Sequence, residues 1–144
     1  SWTAMIVDAN LLLYAVDNTS AHHRVASGGL EEAMTGPLRI GLPWQTIGAF
    51  LRIVTHPRVT ASPLDSAAAW SFVSDWLAQP QVWIPPAGER TSEILGGLLA
   101  GGVTGNLIPD AQLAAMAIKH GVAVASNDSD FARFPQCRWF NPLA

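Results

Sequence analysis

Four aspartates carry the chemistry open to this sequence: Asp8, Asp110, Asp128 and Asp130. Asp8 stands alone in the run MIVDANLLLYA, where an isolated ionised carboxylate takes up a proton unless a cation or several donors hold it. Asp110 is followed by mostly apolar residues from Ala111 to Ile118, and Asp128 and Asp130 share the polar turn NDSD. If these carboxylates converge with no Lys beside them, their repulsion is relieved by protonation or by a bound cation. Hard oxygen ligands favour Mg2+ or Mn2+, with water and a substrate phosphate completing the shell. Such a site activates water and shields the charge that develops when a phosphodiester is displaced.

The elements that must position these acids are legible in the hydrophobic pattern. Met5 to Val7 reads as a buried strand and Asn10 to Val16 as a helix stopped by Asp17-Asn18-Thr19. Ser20 is placed to cap a helix over 21–34, weakened by Gly28-Gly29. LRIGLPW gives a second strand, and Ile47, Phe50, Leu51 and Val54 follow helical spacing from Trp44 until His56-Pro57. Ser62-Pro63 combines an N-cap with a proline at a first helical position, opening a helix with Leu64, Ala68, Phe72 and Trp76 in one row and Ala69, Val73 and Leu77 beside it. QVWIPP is a third strand and ERTSEILGGLLAGG a helix with acids in its first turn. Pro109 opens a helix to about His120, stopped by Gly121; VAVAS is a fourth strand, NDSDFARF a turn and short helix, and CRWFNP a last strand.

Strands alternating with helices predict a three-layer α/β/α domain around a parallel sheet. Ligand sites in such sheets form outside the carboxyl ends of the strands. Asp8, directly after MIV, and Asp128, just past VAVAS, are therefore expected on one edge, with Asp110 in the first turn of the helix that leads into VAVAS.

Each residue also has a plainer role. Asp110 suits a helix dipole or cap, and Asp130 suits a cap for a helix at Phe131. Asn10 either ties down the start of its helix or holds a water at the ion. Ser126 has no His near it in sequence, so a hydrogen bond to phosphate or to Asp8 is expected rather than nucleophilic attack. His22, His23, Glu31 and Glu32 lie on a solvated helix face without a matched ligand set. The six Trp are spaced as packing residues.

At 144 residues the chain suits one domain, 1–144, with no repeat, low-complexity segment or linker. Its residues are 49% hydrophobic and 13% charged, which excludes a disordered chain. Seven Arg and one Lys against eleven acids give a formal charge of −3, so nucleic acid is not coated by bulk electrostatics and any binding is local. The lone Cys137 forms no intramolecular disulfide and suits a reducing cytoplasm. Apolar runs fall far short of the roughly 20 residues of a membrane span. SWTAM lacks the basic start and long apolar stretch of a signal peptide.

The blocks IVDANLLLYA, FLRIVTHPRV, PDAQLAAMAIKHG and SNDSDFARF, in this order and spacing from Ile6 to Pro142, resemble the PIN-domain family and in particular the VapC-type ribonuclease toxins of bacterial toxin–antitoxin pairs. The resemblance implies an α/β/α fold, a Mg2+- or Mn2+-dependent endoribonuclease, a homodimer, and a VapB-like antitoxin that blocks the active site. It matches the family's acids to Asp8, Asp110 and Asp128, its amide or hydroxyl to Asn10 and a frequent additional acid to Asp130. One position departs. The family usually has a glutamate just before FLR, and Ala49, preceded by Gly48, stands there.

Three classes of function follow. In the first, Asp8, Asp110 and Asp128 hold Mg2+ for attack on structured RNA, with Arg52 and Arg58 guiding its backbone or serving only solubility. In the second, a binding module has kept the fold and lost efficient catalysis with the glutamate. The third is an aspartate phosphotransfer protein, but Asn10 replaces the second aspartate of the phosphotransferase pattern and the only Lys, Lys119, lies near a helix end.

Overall fold

The computed structural model describes residues 3–144. The chain order is β1 (Met5–Val7), α1 (Ala9–Val16), α2 (His23–Thr35), β2 (Ile40–Gly41), α3 (Trp44–Val54), α4 (Ser66–Leu77), β3 (Val82–Trp83), α5 (Glu89–Leu99), α6 (Leu107–His120), β4 (Ala123–Ala125), a 3-10 helix (Ser129–Arg133) and β5 (Trp139–Phe140). Five parallel strands form one sheet in the order β3-β2-β1-β4-β5. This is the three-layer α/β/α arrangement that the alternating pattern predicts.

Side chains alternate across a strand, so β1 feeds both layers. Met5 and Val7 pack with Leu11, Leu12, Leu30, Ile47, Phe50 and Val73 from the first four helices. Ile6 and Val124 pack on the other face with Ala111, Ala114, Ala117 and Phe131. The alanines let α6 approach the sheet closely, and Gly121, at φ 67°, ends that helix in the left-handed conformation that glycine adopts without strain. Among the described residues no helix is long and apolar enough to cross a membrane.

Besides α1, which begins at Ala9, one residue before the expected Asn10, three helix starts differ from the sequence reading. The helix expected from Ala21 begins at His23, because the Ser20 hydroxyl accepts from the His22 amide (3.1 Å) and folds a turn instead of capping. The helix expected at Ser62-Pro63 begins at Ser66. Asp65 is the cap there, its Oδ1 accepting from the Ala68 amide at 2.7 Å. Leu64 lies outside that helix and donates its amide to the Val54 carbonyl, while Ala69 and Val73 form the buried row and Phe72 is 38% exposed. In α6, Pro109 is the third residue, tolerated because first-turn amides have no intrahelical acceptor.

The tryptophans also divide. Trp76 packs edge-on against Phe50, Trp83 lies under the Arg39 guanidinium, and Trp139 is half-buried. Trp44 and Trp70 are exposed, so packing does not account for them; Trp2 lies outside the described residues.

Candidate active site

The chain places β2 and β3 on one side of β1 and then returns to place β4 on the other, so the strand order reverses between β1 and β4. Asp8 leaves the carboxyl end of β1, and Ser126, Asn127 and Asp128 leave that of β4. The sheet ladder continues into this edge, the Asp8 amide donating to the Ala125 carbonyl at 3.0 Å.

Asp8 caps α1, its Oδ1 accepting from the Ala9 amide at 2.8 Å. Its Oδ2 accepts from the Ser126 hydroxyl at 2.6 Å and from Asn10 Nδ2 at 3.4 Å. Ser126 is fully buried, and its Oγ accepts from Asn10 Nδ2 (3.1 Å) and from the Asp128 amide (3.0 Å). Asn10 returns the link by accepting from the Asn127 amide. One hydroxyl thus joins the two strand ends. Burial raises the Asp8 pKa above the ordinary carboxylate value; the bonds from Ser126 and Ala9 oppose it, and repulsion from Asp128 adds to it.

Asp128 turns the chain into the 3-10 helix, its Oδ1 accepting from the Asp130 amide at 2.9 Å. It takes the capping position considered for Asp130, which leaves the Asp130 carboxylate facing its neighbours. Asp110, Asp128 and Asp130 each present an oxygen within 4.8 Å of the others. The Asp110 carboxyl is pushed up to about 7, first by burial, then by repulsion from Asp128, Asp8 and Asp130, with a hydrogen bond to Asp128 sharing the proton. The first turn of a helix favours a negative charge, so desolvation and repulsion here outweigh the dipole.

The set is oxygen-only, without thiol or imidazole, and its repulsion is what a hard divalent cation relieves; the donor chemistry fits Mg2+ or Mn2+. Asp8 stands beside this set rather than within it, close enough to perturb Asp110. Arg133 approaches Asp130 at 3.7 Å as an exposed pair, a contact that the three-residue spacing in DFAR makes available.

A frame of polar contacts fixes the rim. Thr46, buried in the first turn of α3, donates to the Val7 carbonyl (2.9 Å), and Gln45 donates to the Pro109 carbonyl (3.2 Å). These two bonds tie α3 to the residues preceding Asp8 and Asp110. Asn127 donates to the Tyr14 hydroxyl and accepts from Asn141, and Trp139 Nε1 donates to the Ser126 carbonyl. Sequence reading missed these supports, since long-range side-chain pairs leave no periodic trace.

Ala49, where the resemblance implies a glutamate, is half-buried on α3, one turn beyond Gln45, the residue that bonds the carbonyl before Asp110. Arg52 is exposed in the last turn of α3 and Arg58 is exposed beyond it, at the opposite end of the helix from Gln45. The structure does not bring either to the acids. His23 departs from the solvated face assigned to it, its ring Nδ1 lying 3.0 Å from the Tyr14 carbonyl.

Comparison with known proteins agrees with this geometry. Residues 5–136 match the PIN domain. The chain is 43% identical over 140 residues to Ribonuclease VapC37 of Mycobacterium tuberculosis, covering 96% of this chain and 97% of that one. It is likewise 43% identical over 140 residues to Ribonuclease VapC33 of the same species, covering 96% and 98%. Among solved structures, VapBC2 from Rickettsia felis, bound to a DNA fragment from its promoter, matches with a TM-score of 0.70 at 17% identity, over 96% of this chain and 98% of that chain. VapBC-1 from nontypeable Haemophilus influenzae matches with a TM-score of 0.69 at 12% identity, over 99% and 100%. At these identities the structural matches establish the fold.

Proposed function

The chain belongs to the PIN-domain family, with VapC ribonucleases as relatives over nearly its full length, and from that premise we propose that it is a metal-dependent endoribonuclease, the toxin of a VapBC-type pair. The observation that carries this reading is the convergence of Asp110, Asp128 and Asp130 within 4.8 Å at the strand-order reversal of a parallel sheet. The ion is Mg2+ or Mn2+, held by Asp110, Asp128 and Asp130. Asp8 forms the fourth wall, because its Oδ1 retains a lone pair after accepting from the Ala9 amide. When bound, the cation supplies Lewis acidity, lowering the pKa of water and neutralising charge that develops on the phosphodiester.

The protein's own residues do the positioning. Ser126 fixes the orientation of Asp8 and holds the Asp128 backbone in register with it. Asn10 locks the start of α1 to the loop after β4, so the two carboxylates move as one unit. Ser126 serves as a hydrogen-bond hub, since its hydroxyl proton is directed at Asp8 Oδ2.

The substrate is RNA, recognised through the shape and exposed bases of a structured molecule because the protein is acidic overall, with Arg52 contacting the RNA backbone. A VapB-like antitoxin and a second copy of the chain complete the assembly, a single PIN domain per chain, acting in the cytoplasm. The R. felis and H. influenzae assemblies that share the fold are VapBC complexes, which supports the antitoxin. A second reading rests on Ala49: a module that binds an antitoxin or RNA with weakened catalysis. The deciding experiment is incubation of structured RNA with the purified chain in Mn2+ and in excess EDTA. Cleavage in Mn2+ alone supports the nuclease; tight RNA or peptide binding with no cleavage and no metal binding supports the module.

A further inference from the structure

Trp44, at 62%, is the most exposed large hydrophobic side chain among the described residues. It opens α3 directly after Pro43, and its sequence neighbours fasten that end of the helix to the acid site: Gln45 to the carbonyl before Asp110, Thr46 to the carbonyl before Asp8. Helical Cα–Cβ bonds tilt toward the N-terminus, which leans the exposed Trp44 side chain toward the helix start, the end of α3 that is fastened at the acids. An aromatic face held open on a rigid helix end suits base stacking, which tolerates any sequence because every base has a π-face.

Charge favours this use of the ring. A net charge of −3 and an acidic cluster repel a polyanion, so affinity has to come largely from contacts other than phosphate attraction. The exposed row of Trp44 continues at four-residue steps through Gly48, where an added Cβ meets nothing within 4 Å, to the exposed cation Arg52. Aromatic ring, bare backbone and guanidinium in line fit a nucleic acid strand. We propose that Trp44 is a substrate-positioning residue whose indole stacks a base of a single-stranded RNA segment beside the acid site, with Arg52 farther along the row on a phosphate. This assignment rests on the nuclease reading above.

The test is fluorescence anisotropy of a short labelled oligoadenylate and of an abasic ribose-phosphate strand of the same length, with Mn2+-dependent cleavage of structured RNA followed in parallel. Trp44→Ala is expected to weaken oligoadenylate binding about tenfold, equivalent to about 1.4 kcal/mol. Trp44→Phe restores most of the loss, and neither variant changes binding of the abasic strand. Equal affinity of wild type and Trp44→Ala for oligoadenylate overturns the assignment, as does an equal loss on both strands or an effect confined to self-association. The expected binding pattern with no RNA cleavage by the wild type leaves the stacking intact and defeats the nuclease reading instead.

Discussion

The Ser126 hydroxyl donates to Asp8 Oδ2 at 2.6 Å across the gap between the ends of β4 and β1. The two residues are 118 positions apart in the chain, yet this bond sets the orientation of the acid that caps α1. Ser126→Ala removes that donor, leaves the Asp128 amide without its acceptor beside a fully buried position, and leaves Asn10 Nδ2 only its longer bond to Asp8 Oδ2. Urea unfolding of the metal-free protein is expected to show a loss of about 1–3 kcal/mol. An unchanged midpoint and slope contradict the role given to this hydroxyl.

The acid cluster makes metal binding depend on pH in a defined direction. The Asp110 carboxyl titrates at about 7 in the folded chain, against 3.8 for a free aspartate. A raised folded-state pKa means that the native state holds the proton more tightly. Its contribution to stability is therefore present below the unfolded pKa and is lost as pH rises through about 7. A divalent cation competes with that proton, so Mn2+ is expected to raise Tm more near pH 8 than at about pH 5.5, and calorimetry should record proton release on binding. Equal increments in Tm at the two pH values count against a cation at Asp110.

Ala49 offers a gain-of-binding experiment. It lies on the α3 flank one turn past Gln45, at the position where the sequence resemblance implies a glutamate. Ala49→Glu adds a carboxylate to an oxygen-donor site whose affinity rises with ligand charge, and is expected to tighten Mn2+ binding on the order of tenfold. Titration calorimetry of the two proteins side by side is the check. Weaker or unchanged binding places position 49 outside the ion's reach.

The candidate acids were legible in the sequence because each breaks a local pattern. Asp8 interrupts an apolar strand-to-helix run, Asp110 an apolar helix, and Asp128 follows a buried strand; parallel-sheet topology then brings Asp8 and Asp128 to one edge. Helix starts were less legible. Ser20 and Ser62 are both good caps by type, but Ser20 spent its oxygen on a turn, and Asp65 made the cap that Ser62-Pro63 suggested. The network around Ser126 and the bonds of Gln45 and Thr46 depend on contacts between distant residues, which no local pattern records. Exposure of Trp44 was hidden for a related reason: an aromatic beside apolar positions reads as core until the packing on each helix face is known.

The most direct test of the central claim is Mn2+ calorimetry combined with RNA cleavage for wild type and Asp110→Asn. The substitution keeps the side chain's shape and removes one of the three converging carboxylates. The metal-free variant is expected to be at least as stable as wild type above about pH 7, because the buried charge whose desolvation and repulsion raise the Asp110 pKa is gone. Mn2+ affinity and RNA cleavage should fall together, cleavage by about a hundredfold or more. Undiminished cleavage by a folded Asp110→Asn protein, or cleavage by the wild type that persists in excess EDTA, contradicts a cation-dependent nuclease built on this cluster.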